Sequence, residues 1–200
     1  MKSYLKAFLS SLAVLITLAP LVAQAGSWQI DPDHSSVGFK VRHMMVSNVK
    51  GDFGTFSGVV DINDQDVTKS SVSVSIVTAS INTGVAKRDA HLKSADFLDV
   101  AKFPAMTFVS SKVVKAGKDK LKVYGLLTLH GITREVVLDV DGPSGVSRDP
   151  YGNLRRGASA TTKINRKDFG LVWNALLETG GVAVGEEVQI SLEIEMIAKK

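Results

Sequence analysis

From Glu187 to Ala198 the chain alternates, with Val188, Ile190, Leu192, Ile194 and Met196 on one side of an extended strand and Glu187, Gln189, Ser191, Glu193 and Glu195 on the other. A period of two held over five apolar positions is the pattern of an antiparallel sheet with one packed face and one wet face. The same alternation recurs at Val37, Phe39 and Val41, at Val72, Val74 and Ile76, and at Val136, Leu138 and Val140. Strand signals bounded by Gly, Asn, Asp or Pro fall over 28–30, 36–43, 53–62, 70–81, 105–115, 119–130, 133–142, 155–164 and 186–198. The connections are short: Asn63 to Asp66, Ala116 to Lys118, and His130-Gly131 read as hairpin turns, and Asp149 to Gly152 as a turn in a longer loop. Local pairing of this kind gives a meander, not parallel crossovers.

Two stretches break the rhythm. Ala86 to Leu98 contains neither Gly nor Pro and follows the Asn82-Thr83-Gly84 turn, which predicts a short helix. Arg166 to Val184 is irregular and glycine-containing, and reads as a loop or short helix over one end of the sheet. So many antiparallel strands in one domain either fold into two layers or close, and closure removes the exposed edges. A barrel of about eight strands encloses either packed side chains or one small ligand. Aromatics make up 6% of the chain, and the inward candidates are mainly Val, Ile, Leu, Ala and Thr, with Ala158, Ala160 and Thr162 especially small. Pattern alone leaves both a hollow and a filled interior open.

The first residues bear on location. Lys2 and Lys6 precede an uncharged run from Ala7, Pro20 interrupts it near its end, and Ala23-Gln24-Ala25 is a small-x-small cleavage pattern. Residues 1–25 are therefore expected to be a signal peptide and residues 26–200 one mature domain that leaves the cytoplasm. With no cysteine, no disulfide holds the fold. A net charge of +4 without basic stretches interleaved by aromatics does not suit nucleic acid.

Motifs for chemistry are missing: no nucleophile elbow, phosphate-cradling glycine loop, helical His-Glu-x-x-His or thiol. Asp61 to Asp66 begins like a calcium loop, but Asp66 stands at the glycine position and Val72 at the bidentate Glu position. His34, His43, His91 and His130 never pair at ligand spacing, so no metal site is expected. One cluster is dense: Lys87, Arg88, Asp89, His91 and Lys93, with Arg88 and His91 three apart on one helix face. It is either a solvated face with a structural Arg88–Asp89 contact or a site for a polar or anionic head. Asn165 to Asp168 raises the same choice at Arg166 and Lys167.

A resemblance enters with particular segments. Trp28 to Ser35 leading into Val37 to His43, Val46 to Phe53, Arg88 to Leu98, Phe103 to Phe108, Gly125 to Arg134, Ile164 to Leu171 and Val184 to Val188 together resemble the YceI-like polyisoprenoid-binding proteins across almost all of the mature chain. The resemblance implies an all-β, lipocalin-like antiparallel barrel capped by one or two short helices, with a long isoprenoid chain in an apolar tunnel. It also implies export to the periplasm, and the chain is read as a carrier and not an enzyme, with no cofactor. Alternation places Phe39, Val41, Val74, Ile76, Phe108, Leu138, Ile190 and Leu192 on the tunnel wall. Arg88, Asp89, His91 and Arg166 are the head-group candidates. The other readings are a quinone-holding accessory that touches a membrane or a membrane redox protein, and a filled barrel used as a stress-related interaction module. Oligomeric state stays open, a homodimer included.

Overall fold

The computed structural model describes residues 26–178 and 180–199; the expected signal peptide lies outside them. Twelve strands follow in order: β1 (Gly26–Ile30), β2 (Ser36–His43), β3 (Ser47–Phe53), β4 (Phe56–Ile62), β5 (Ser71–Val77), β6 (Ile81–Asn82), β7 (Ala105–Gly117), β8 (Lys120–Leu129), β9 (Ile132–Asp141), β10 (Ser147–Arg148), β11 (Leu154–Asn165) and β12 (Val184–Ala198). One helix, α1 (Ala86–Lys93), follows β6. Every named pairing is antiparallel, and β11-β9-β8-β7-β5-β4-β1-β12 closes on itself through β12 and β11, giving an eight-stranded barrel.

The alternating strand read first from the sequence closes the ring. One edge of β12 pairs with β11 from Asn165↔Glu187 to Arg155↔Ile197. Its other edge is shared end to end by β2, along Val184–Glu193, and by β1, along Met196–Ala198. Between them the chain turns at Asp31 to Ser35, where Asp31 Oδ1 accepts from the Asp33 N–H (3.1 Å). Ser35 Oγ fills the gap in the ladder, donating to Glu195 O (3.2 Å) and accepting from the Glu195 N–H (2.9 Å). Beyond this break β2, β3 and β6 extend the sheet as a flap at the end where β12 begins, here the upper end.

The structure shortens the expected helix. Leu98 N–H bonds Leu92 O (3.0 Å), Ser94 Oγ turns back on His91 O (2.8 Å), and Asp99 takes φ +43, so Ser94 to Asp99 is a coiled turn. The run 53–62 also divides: Phe53 ends β3, and Phe56 begins β4. Ser47 to Asp52 gave no strand signal, because Asn48, Lys50, Gly51 and Asp52 lack the β-branched alternation; pairing with β2 makes it a strand anyway.

Candidate functional site: an apolar cavity along the barrel

The interior is hollow. A cavity of about 300 Å³ runs within the barrel, and its accessible wall is apolar. Ten-residue strands such as β8 and β9 span about 33 Å, and at the usual barrel tilt that is a height of about 25 Å. The lining reaches from Phe97, Leu98 and Leu171 at the upper end to Ile62, Val67 and Leu121 at the lower end. All eight residues expected on the wall, Phe39, Val41, Val74, Ile76, Phe108, Leu138, Ile190 and Leu192, line it. Parity explains this: once one inward position is fixed on a strand, every second residue shares its face.

Two glycines give the cavity its room. A Cβ on Gly125 would lie 2.4 Å from Phe108 Cζ, and one on Gly51 would lie 2.5 Å from Phe39 Cζ. Each ring therefore lies over a backbone without a side chain, and its thickness is accommodated in the wall.

At the upper end α1 and the turn after it form a cap. Leu92, Phe97 and Leu98 line the cavity from this segment. On its outer side the His91 ring meets Phe97 and Trp173 edge-on, centroids 5.0 and 4.8 Å apart, and Phe97 and Trp173 lie 5.1 Å apart. The cap is thus joined to the 171–183 loop by three rings. His91 Nε2 also pairs with Asp96 Oδ2 (2.9 Å).

The head-group candidates do not converge. Arg88 donates from Nε to Thr83 Oγ1 (2.7 Å) and from Nη2 to Thr83 O (2.9 Å). Asp89 Oδ1 accepts from the Thr83 N–H (2.9 Å) and Thr83 Oγ1 (2.5 Å). Both side chains lock the β6–α1 turn, and that local bonding accounts for the density of the cluster. Arg166 is buried, 3% exposed, and lines the cavity. Its guanidinium donates to three backbone carbonyls, Gly185 O (2.9 Å), Leu171 O and Val184 O (3.3 Å), tying the start of β12 to the loop. Burial pushes its pKa down, partly offset by the nearby Glu186 charge.

The lower end holds features the sequence did not announce. Arg156 points inward, its guanidinium 5.0 Å over the Trp28 ring, with Nη2 donating to Asp64 Oδ1 (2.6 Å). Trp28 Nε1 and Arg156 Nε are the buried side-chain nitrogens without an acceptor among the described residues. Outside the wall, Asp31, His34 and Glu195 bring three donor atoms within 4.8 Å, which is metal-ligand spacing. A cation is already there: Arg155 Nη1 lies 2.6 Å from Asp31 Oδ2 and 2.5 Å from Glu195 Oε1, and its Nε donates to Asp149 Oδ2 (2.8 Å). Burial raises the Asp31 pKa, but hydrogen bonds from Arg155 and His34 outweigh it and hold the carboxyl below its ordinary value. With Arg155 neutralising the carboxylates, this cluster is a structural network. It joins three distant parts of the chain, Asp31 to His34, Asp149 to Arg155, and Glu195, and local spacing carries no signal of it.

The closed barrel with its apolar lumen can be set beside known proteins. The model of the YceI-like domain matches residues 28–196, nearly all of the described chain. The chain belongs to the YceI-like family. Its relatives include a UPF0312 protein of Vibrio parahaemolyticus, 40% identical over 81% of this chain and 86% of that protein. A UPF0312 protein of Staphylococcus aureus is 41% identical over 84% of this chain and 96% of that protein. Among solved YceI-like structures, the Campylobacter jejuni YceI protein superposes with a TM-score of 0.67 at 32% identity, over 80% of this chain and 90% of that one. Burkholderia cenocepacia BcnA superposes with a TM-score of 0.71 at 25% identity, over 83% and 98%. A polyisoprenoid-binding domain from Saccharophagus degradans shares the fold at 15% identity with a TM-score of 0.62, over 88% and 100%.

Proposed function

We propose that this YceI-like barrel binds and carries a polyisoprenoid or similar long-chain lipid in the periplasm, after removal of residues 1–25, and performs no bond chemistry. The observation that carries the reading is a hollow antiparallel barrel whose accessible wall is apolar along its length. A chain with a long apolar tail and a small polar end fits such a wall. The described polyisoprenoid-binding domain of the same fold supports the class of ligand. Each buried methylene is worth roughly 0.8 kcal/mol, so a few isoprenoid units supply on the order of 10 kcal/mol before the entropy of binding is subtracted. Selectivity for chain length is correspondingly weak, because one methylene changes an apolar pocket's affinity by only about 1–3 kcal/mol.

The test is organic extraction of protein recovered from the periplasmic fraction, followed by mass spectrometry of the extract and of the intact protein. A single isoprenoid-type lipid per barrel and a chain beginning at Gly26 are expected. The mass of the extracted head distinguishes a quinone from other prenyl lipids. Folded protein that yields no lipid and takes up no fluorescent prenyl probe would overturn the carrier role.

A further inference from the structure

The β2–β3 hairpin is closed by an unusual turn. The Val46 N–H bonds His43 O (3.1 Å), and the two residues between, Met44 and Met45, take φ +48 and +60. Positive φ at both central positions is the two-residue hairpin turn that selects Asn-Gly, because a Cβ is disfavoured there. Here both positions carry large apolar side chains, with Met45 53% and the following Val46 78% exposed. The turn therefore combines a backbone penalty with unburied apolar surface, and neither is repaid inside the protein.

The tip is not isolated. Met44 N–H donates to Ala183 O (2.8 Å), and the Arg42 guanidinium donates to Met45 O (2.7 Å). The neighbouring loop is itself a small hairpin, bridged between Leu176 and Val182, and it exposes Val172 (64%) and Leu176 (89%). Hairpin tip and loop make one apolar face at the upper end. It continues into the lumen: Val41, Leu171 and Val184, each within a few residues of this face, line the cavity. Arg42, Lys40 and Lys50 stand on the same two strands beneath it, against the single acid Asp52 there, and form no ion pair among the described residues, while Glu178 is the acid carried on the loop.

We propose that Met44, Met45, Val46, Val172 and Leu176 form a docking surface for a phospholipid bilayer, by which the barrel's upper end meets the membrane that supplies or receives its lipid. This rests on the carrier reading above. Methionine supplies a pliant apolar surface suited to a fluid partner. An apolar tip above a collar of cations matches the depth order of a bilayer, acyl region first and anionic headgroups behind it.

The experiment is cosedimentation of the mature protein with vesicles of phosphatidylcholine alone and of phosphatidylcholine with phosphatidylglycerol. Binding is expected to both, more strongly to the anionic vesicles and weakened by salt. The double variant Met44→Asn, Met45→Gly installs the residues the turn prefers, so its melting temperature holds or rises. Its vesicle partition falls about tenfold or more, since burial of one Met-sized side chain is alone worth about that factor. Leu176→Ser lowers the partition in the same direction. Wild-type protein that ignores both vesicle types, or a double variant that binds as wild type, would overturn the assignment. So would a wild type found dimeric by light scattering and a double variant found monomeric, because the face is then a subunit interface. Extraction of the same preparations separates the two proposals: a barrel that holds lipid but leaves vesicles in the supernatant refutes the docking face and leaves the carrier role standing.

Discussion

Gly125→Ala tests whether the lumen depends on bare backbone beneath an aromatic ring. In an unobstructed position the change stabilises by about 0.4–1 kcal/mol, through lost freedom of the unfolded chain. At Gly125 the new Cβ would stand 2.4 Å from Phe108 Cζ, 2.6 Å from Phe108 Cε2 and 2.6 Å from Val109 O. The ring can swing only into the cavity, and the backbone oxygen cannot swing at all. Overpacking of this kind costs about 1–3 kcal/mol, which outweighs the entropic gain. For a domain of this size the net loss, up to about 2.6 kcal/mol, lowers the melting temperature by up to roughly 10 °C. The ring's displacement also narrows the lumen, so lipid recovered per barrel falls. Thermal melting of the delipidated protein and lipid extraction read the two effects separately. Adding Phe108→Leu removes the ring and should restore much of both. A Gly125→Ala protein that melts at or above wild type with full lipid content would refute the reasoning.

Three further outcomes are expected. Leu192→Glu places a carboxylate on the apolar wall at a cost of several (~3–5) kcal/mol or forces it neutral, so lipid recovery collapses, while Glu193→Gln on the outer face changes little; equal effects would show the parity to be misassigned. Arg88→Ala removes two hydrogen bonds to Thr83 and should lower apo stability by about 1–3 kcal/mol with lipid affinity nearly intact, whereas unchanged stability with weakened lipid binding would make it a head-group contact. The Asp31 and Asp149 carboxyls are held below their ordinary pKa, Asp149 by Asn153 and then Arg155 against the opposing effect of burial. Their stabilisation is complete above about pH 4 and is lost as pH falls through the folded-state values. Wild type and Arg155→Gln should therefore differ in melting temperature at neutral pH and converge in acid; a constant gap between the two curves would exclude the linkage.

Alternation made the barrel wall legible. Leu192 and Ile190 needed only their own neighbours to be assigned a face, because burial on one side of a strand is written with a period of two. Segments whose structure comes from a partner were harder to read. Ser47 to Phe53 is a strand because β2 lies beside it, and Ala86 to Leu98 stops being a helix at Lys93, where Ser94 turns back on His91 and the chain carries Leu98 to the lumen. The polar cluster at Arg88 is visible in the sequence but its meaning is not: Thr83 reads there as part of a turn, and nothing in the spacing marks it as the partner of both Arg88 and Asp89. Arg156 carries no signal in the sequence. An inward arginine interrupts the pattern of β11, and the Trp28 ring and the Asp64 carboxylate, both brought to it by the closed fold, explain its place.

The way β12 is paired also sets when the barrel can form. Asp31 bonds Glu195, and Trp28 stands opposite Ala198, so the first strand of the ring meets the last across nearly the whole domain. Until β12 is available, β1, β2 and β11 all keep an open edge, and the hairpins between them cannot enclose anything. Contacts of such long sequence separation fold slowly, because the loop they close must be ordered before any of them forms. Synthesis from the N-terminus therefore yields a row of unclosed hairpins until β12 has been made. A chain ending before Val184 would remain in that state, its apolar faces uncovered and its lumen never made.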